Sequence, residues 1–155
     1  MKLYLETTVF NWYFDDRPER EYVRTLFEEI RQGKHEGYTS IYVEAELSQA
    51  PDPKMSGMFQ LIADCGIKVL PTGSAADTLA ETYVAGGIIP ADYLLDATHI
   101  ACAAVYGLDY IVSYNFKHIN RIRTKLQTGR VNAALGYGNV VICTAKEVLD
   151  DDGQD

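Results

Sequence analysis

Short apolar segments that alternate with helix-like segments constrain the fold of this chain more than any other feature of its sequence. The clearest of them, residues 3–5 and 110–112, contain consecutive hydrophobic side chains instead of alternating polar and apolar ones. Strands of this kind are buried on both faces, as in a parallel sheet that helices cover on each side. The sequence therefore predicts an α/β fold with a mostly parallel central sheet.

Local signals predict where several helices begin and end. Ser40 precedes a helical segment that runs to about residue 48, and a serine in this position caps free backbone N–H groups. Thr144 and Glu147 have the spacing of a capping box at the start of a final helix. An earlier helix is predicted to begin near the capping carboxylate of Asp16 and to end at Gly33.

The length of 155 residues suits one domain with a substantial core, and no repeat or linker divides the chain. We expect a single domain over residues 1–149 and an acidic, disordered tail over residues 150–155. No stretch approaches the roughly 20 apolar residues of a membrane helix, and Glu6 interrupts the first apolar run before it resembles a signal peptide. The cysteines, which lack zinc-ligand spacing, are Cys65, Cys102 and Cys143. These features predict a cytoplasmic protein with reduced thiols and no membrane contact.

The charge distribution is uneven along the chain. A net charge of −8 argues against a large nucleic-acid surface. No acidic residue, however, lies between Asp109 and Glu147. The basic residues of that interval, here called the basic strip, are Lys117, Arg121, Arg123, Lys125, Arg130 and Lys146. Such a strip either binds a phosphate backbone or is a solvated surface, and the sequence leaves both interpretations open.

Two carboxylates occupy positions that surface decoration does not explain. Glu6 directly follows the first predicted strand, and Asp96 lies one turn into a strongly apolar helix. A buried carboxylate needs a cation or hydrogen-bond donors as partners. Asp92, at the start of the same helix, is more simply an N-cap.

Other polar side chains are expected at the same place, because ligands bind beyond the carboxyl ends of parallel strands. Ser113 and Asn115 follow the fourth predicted strand. Glu44 and Glu46 lie in the helix after Ser40, roughly 200° apart around its axis, so at most one of them faces this edge.

Clustered carboxylates predict a hard divalent cation. Mg²⁺ and Mn²⁺ prefer oxygen ligands, and without a cation the carboxylates would repel one another. Such an ion lowers the pKa of bound water and offsets charge on a phosphodiester. A transition-metal site of Asp96, His99 and His118 is an alternative, although the spacing carries no zinc-like signature, and His99 is more simply a core residue.

Three segments resemble the motifs of the PIN domain family. Residues 5–10, Leu-Glu-Thr-Thr-Val-Phe, are similar to its first-strand motif, and residues 96–118 are similar to its C-terminal signature. Ser40 followed by Glu46 resembles the family's helix glutamate with its upstream serine, which favours Glu46 over Glu44. The resemblance extends over about residues 2 to 145.

The resemblance implies a three-layer α/β/α fold and a ribonuclease that depends on Mg²⁺ or Mn²⁺. It further implies a possible toxin role with an antitoxin partner, and a homodimer. The metal ligands would be Glu6, Glu46 and Asp96, and Asn115 would stand where the family often has a fourth acid. Residues expected to contact water or RNA are Thr8, Ser113, Lys117, His118 and Arg121. Glu6 stands where aspartate is usual, and Asn115 brings no charge.

Two other functions are consistent with the sequence. A PIN-like module that has lost catalysis would bind RNA or a protein partner, and Asn115 and the acidic net charge motivate that hypothesis. A receiver-like phosphoacceptor would need an acidic pair near the first strand, where only Glu6 is present.

Aromatic residues near the predicted edge add a further question. Trp12 is expected to pack in the core or to contact a partner, and Tyr114 to stack on a base.

Overall fold

The computed structural model describes residues 1–71 and 73–152, and its centre is a five-stranded sheet in the order β3-β2-β1-β4-β5. Numbered in chain order, the strands are Lys2–Leu5, Glu36–Ser40, Lys68–Leu70, Tyr110–Val112 and Val141–Cys143. Each neighbouring pair is parallel. The predicted parallel sheet is therefore confirmed.

Helices cover both faces of the sheet, which gives the three-layer α/β/α architecture. In the described residues the α-helices, numbered α1 to α8 in chain order, are Thr7–Phe14, Arg20–Arg31, Ile41–Leu47, Lys54–Asp64, Ser74–Ala85, Leu94–Val105, Ile122–Ala134 and Ala145–Asp152. A 3-10 helix, Ala91–Tyr93, precedes α6. Helix α2 packs against α1 and α8, and α5 packs against α6. Within the described residues, no helix is both long and apolar enough to cross a membrane.

Two of the predicted helix starts are confirmed by their capping contacts. The Ser40 hydroxyl accepts a hydrogen bond from Val43 N at 3.3 Å, at the start of α3. Thr144 N donates to Glu147 Oε1 at 3.0 Å, and Glu147 N donates to Thr144 Oγ1 at 3.3 Å. Both caps depend only on neighbours in the sequence, which is why the sequence predicts them correctly.

Two other predicted caps are wrong. Helix α2 begins at Arg20 and has no side-chain cap, so Asp16 does not start it. Asp92 is exposed within the 3-10 helix, and α6 begins without a side-chain cap at Leu94. Helix α1 was not expected at all, because its buried residues lie in its first half and show no clear helical period.

The last helix extends into the segment that was expected to be a disordered tail. Helix α8 continues to Asp152. Lys146 Nζ donates to Asp150 Oδ2 at 2.7 Å, and the Tyr110 hydroxyl donates to Asp151 Oδ2 at 3.2 Å. Both contacts hold the acidic residues in the last turn, and the sequence pattern did not show them. The remainder of the expected tail, residues 153–155, lies outside the described residues.

Candidate functional site

Glu6 is fixed where strands β1 and β4 end, and only 3% of its surface is exposed. Its backbone N donates to Val112 O at 3.2 Å, which continues the pairing of the two strands. Its Oε1 accepts hydrogen bonds from Thr8 Oγ1 at 2.5 Å and from Ser113 Oγ at 2.7 Å. Burial raises the pKa of Glu6, although these donors and the nearby His99 act in the opposite direction.

Glu46 projects from α3 toward the same edge of the sheet. Its Oε1 accepts hydrogen bonds from Thr7 Oγ1 at 2.7 Å and from His99 Nε2 at 2.8 Å. The carboxylate can only accept, so Nε2 of His99 carries the proton. Burial acts to raise the pKa of Glu46, but the hydrogen bond and charge of His99, with the hydrogen bond of Thr7, outweigh it and lower the pKa.

Asp96 and Asn115 meet through their side chains. Asp96 lies in the first turn of α6 and is half-buried. Burial raises the pKa of Asp96 more than the nearby Asn115 side chain and the two histidines His99 and His118 lower it. Asn115 is held in turn, because its Oδ1 accepts from His118 N at 3.0 Å and its backbone N donates to Ser113 Oγ at 3.0 Å. Glu46 interacts electrostatically with both Glu6 and Asp96, so the carboxylates predicted for the acidic edge lie near one another, and their role as metal ligands stays a prediction.

A buried chain of hydrogen bonds supports Glu46 from behind. The Tyr4 hydroxyl lies 2.7 Å from His99 Nδ1 and 2.7 Å from Ser40 Oγ. Tyr4, Ser40 and His99 have no exposed surface. Both nitrogens of His99 therefore already have partners, and the ring is not available as a metal ligand. This placement agrees with the interpretation of His99 as a core residue.

The carboxylates at the edge suit a hard cation. The hydrogen bonds described above all end on Oε1 of Glu6 and of Glu46, which leaves Oε2 of each for a ligand. Among residues 1–71 and 73–152, no group of three or more His, Cys, Asp or Glu side chains is arranged to hold a metal ion. Mg²⁺ and Mn²⁺ do not need such a group, because one or two carboxylates with water and substrate phosphate usually suffice. The oxygen donors present therefore fit Mg²⁺ or Mn²⁺ and do not form a zinc-type cage.

Thr8 and Ser113, which were predicted to contact water or RNA, donate their hydroxyl hydrogens to Glu6. Thr8 Oγ1 also accepts from Tyr114 N at 2.8 Å, which ties helix α1 to the segment after β4. Both hydroxyls thus orient the Glu6 carboxylate. Their predicted contact with substrate stays a prediction.

The segment after β4 presents its basic side chains to solvent. Lys117 and Arg121 are exposed, and Arg121 Nη1 donates to Lys117 O at 3.1 Å. His118 is 8% exposed, and no residue in the described part of the chain hydrogen-bonds its Nε2. Its ring centroid lies 4.0 Å from that of Tyr93. The basic strip is not one uniform surface, because Lys146 is paired with Asp150 on α8.

Two supporting residues were not predicted for the site. Tyr4 precedes Glu6 by two positions and Tyr93 precedes α6, and neither belongs to a charged motif. Thr7 was expected at this edge only because it directly follows Glu6 after the first strand. Tyr4 reads as an ordinary core residue, and its hydroxyl finds polar partners only in the folded chain.

In open parallel α/β sheets, ligands bind beyond the carboxyl ends of the strands. The acidic side chains of this protein lie at that edge, and the fold is of this class. Residues 3–124 match the family model of the PIN domain, and the chain belongs to that family. A comparison with curated proteins gives no match.

Two solved structures share the fold. One is the crystal structure of Mycobacterium tuberculosis VapC20, a sarcin-ricin loop cleaving toxin. It is 12% identical, with a TM-score of 0.56, over 89% of this chain and 98% of that one. The other is VapBC2 from Rickettsia felis, bound to a DNA fragment from its promoter. It is 13% identical, with a TM-score of 0.56, over 92% of this chain and 97% of that one. At these identities the likeness shows the fold alone.

Proposed function

We propose that this protein is a metal-dependent ribonuclease of the PIN type that hydrolyses RNA phosphodiester bonds. The observation that carries the proposal is the position of three carboxylates at one edge of the sheet, where Glu46 interacts electrostatically with both Glu6 and Asp96. Among the described residues they form no three-ligand cage, so water and substrate phosphate would complete the coordination of an ion. Hydrogen bonds fix Glu6 and Glu46 before any ligand binds. Preorganised carboxylates of this kind serve phosphoryl chemistry, and they do not help a protein core to pack.

The metal ligands in this proposal are Glu6, Glu46 and Asp96. When bound, Mg²⁺ or Mn²⁺ lowers the pKa of water and offsets negative charge on the phosphodiester. Thr8 and Ser113 orient Glu6, and His99 keeps Glu46 ionised.

The Asn115 side chain lies near Asp96 and lowers the pKa of its carboxylate. As a neutral amide it adds no charge, so the site offers three carboxylates and not four.

The RNA backbone would lie along the segment after β4. Lys117 and Arg121 are exposed cations, and they offset phosphate charge although the net charge of the chain is −8. His118 contributes its Nε2, whose hydrogen-bonding capacity is unused by the described residues. These contacts depend on phosphate and carry no sequence information.

The cellular role we propose is that of a cytoplasmic toxin that an antitoxin protein controls. The support is the fold shared with VapC20, named as a toxin, and with the VapBC2 assembly. A homodimer is proposed from the resemblance of the sequence to the PIN family. This role predicts that expression of the protein alone arrests cell growth and that co-expression with its antitoxin restores growth. Growth of the expressing cells measures this.

The experiment that tests the nuclease is a calorimetric titration with Mn²⁺ followed by an RNA cleavage assay. Asp96→Asn is expected to lose Mn²⁺ binding and cleavage together. Asp92→Asn is the matched control, because Asp92 is exposed on the 3-10 helix only four positions away. If Asp96→Asn binds Mn²⁺ and cleaves RNA as well as the control does, the proposed site is wrong.

A binding module without catalysis is the second candidate function, and Asn115 favours it. This side chain brings no charge to a position beside Asp96, so the site offers fewer anionic ligands. A purified protein that binds RNA or a protein partner but cleaves no RNA with Mn²⁺ would support this function. Cleavage that Asp96→Asn removes would exclude it.

A further inference from the structure

An exposed aromatic ring lies directly beside the acidic edge. Phe116 follows Asn115 in the chain, and 51% of its surface is exposed. Tyr114, the residue expected from the sequence to stack on a base, is 4% exposed and cannot do so. Phe116 is therefore an exposed ring at this site, as is Tyr93, which is 41% exposed and lies against His118.

A fixed aromatic cluster supports the Phe116 ring. Trp12 stacks on Tyr114 with ring centroids 3.9 Å apart and planes 14° from parallel. Phe116 lies edge-on to both rings, at 6.5 Å from Trp12 and 6.1 Å from Tyr114. The Tyr114 hydroxyl accepts from Ala145 N at 3.2 Å, which anchors the cluster to α8. The platform is thus held in place before any ligand binds.

Positive charge flanks this platform. The guanidinium of Arg17 lies 5.1 Å from the centre of the Trp12 ring, and Lys117, the residue after Phe116, holds its ammonium 5.5 Å from the centre of the Tyr93 ring. Both side chains are exposed. A ligand with a flat apolar face and an attached anionic group matches this combination, and a nucleotide has both features.

We propose that Phe116 is a stacking platform for an unpaired nucleobase, next to the nucleotide whose phosphate lies at the acidic edge. The identity of the ligand as RNA rests on the proposed function. Consecutive Cα atoms are about 3.8 Å apart, so Phe116 lies within one nucleotide of Asn115. Only an unpaired base can offer its face to a side chain, and the site therefore selects single-stranded segments.

Trp12 provides the readout, because it is the only tryptophan of the chain. Its emission is followed as a short oligouridine is added in EDTA at low salt, so that binding is measured without cleavage. We expect the wild-type emission to change on saturation. Phe116→Leu is expected to bind about tenfold more weakly, the loss that removal of one base–aromatic stack gives. Phe116→Tyr keeps the ring and should restore the affinity.

Tyr106→Leu is the matched control. Tyr106 is a 38% exposed ring at the C-terminal end of α6, before β4 begins, whereas Phe116 follows the end of β4. This variant should bind oligouridine as the wild type does. An oligomer of abasic sugar phosphates supplies a second control, because it should bind wild type and Phe116→Leu equally.

Three results would overturn the stacking proposal: no wild-type response to oligouridine, equal affinity of Phe116→Leu and wild type, or a Phe116→Leu effect confined to oligomeric state in sedimentation. The last would make Phe116 a protein contact. Because binding is measured without metal, the binding test remains interpretable even if the protein shows no Mn²⁺-dependent cleavage. Conversely, cleavage that depends on Asp96 would stand even if stacking failed.

Discussion

His99 donates a hydrogen bond from Nε2 to Glu46 Oε1 at 2.8 Å, and the imidazole that does so has no exposed surface. The contact joins α6 to α3 across the end of the sheet. It lowers the pKa of Glu46 against the effect of burial, so the carboxylate stays ionised at neutral pH. A core residue and a candidate metal ligand thus form one unit.

The first prediction concerns this unit. His99→Leu removes one of the two hydrogen-bond partners of the buried Tyr4 hydroxyl and a donor to Glu46, and should reduce the free energy of unfolding by about 2 to 3 kcal/mol. Tyr4→Phe should reduce it by about 1 to 2 kcal/mol. Because both changes break the same contact, the double variant should lose less than the sum. Urea unfolding of the three variants measures this, and strict additivity would contradict the proposed chain of hydrogen bonds.

The second prediction concerns the effect of Glu6 on the stability of the folded protein. Burial raises the pKa of Glu6, so the folded chain holds the ionised form unfavourably at neutral pH. Glu6→Gln should therefore melt at a higher temperature than the wild type at pH 7 in EDTA, since the amide oxygen still accepts from Thr8 and Ser113.

The pH dependence of this difference follows from the sign of the shift. A carboxyl whose pKa is raised on folding contributes stability at pH values below its unfolded pKa and loses it as the pH rises through the folded pKa. The advantage of Glu6→Gln should then vanish as the pH falls below the ordinary range of glutamate, roughly pH 4. A melting series across pH measures it, and a variant less stable than wild type at pH 7 would refute the prediction.

The third prediction concerns the missing acid. Asn115→Asp replaces the neutral amide near Asp96 by a second carboxylate. Repulsion between the two should lower the melting temperature in EDTA, and Mn²⁺ should raise it by more than in the wild type. Calorimetry should also show more Mn²⁺ bound per chain. An unchanged stoichiometry and an unchanged thermal shift would place residue 115 away from the ion.

The fourth prediction concerns thiol reactivity. Burial raises the pKa of Cys102 to about 11 and that of Cys143 to about 12. Cys65 is only half-buried, and burial also raises the pKa of its thiol. At pH 8 a thiol reagent should therefore modify Cys65 first and the other two only after unfolding in guanidinium. Mass spectrometry of the partly modified protein checks the order, and early labelling of Cys143 would contradict it.

The sequence predicted the features that depend on neighbours along the chain. Consecutive apolar residues identified the parallel strands, and the caps at Ser40 and Thr144 were read from their own segments. Glu6 and Asp96 stood out because a carboxylate within an apolar segment needs a partner. Each of these inferences used only the residues of one short segment of the chain.

Only the tertiary structure decided the contacts between distant segments. Glu46 and His99 are 53 positions apart, and no local pattern links them. The same holds for the burial of Tyr114 and the exposure of Phe116, two aromatic residues that the sequence alone could not distinguish. Sequence periodicity indicates which side chains prefer an apolar environment. Which of these side chains lies at the edge of the site depends on how the sheet and helices pack.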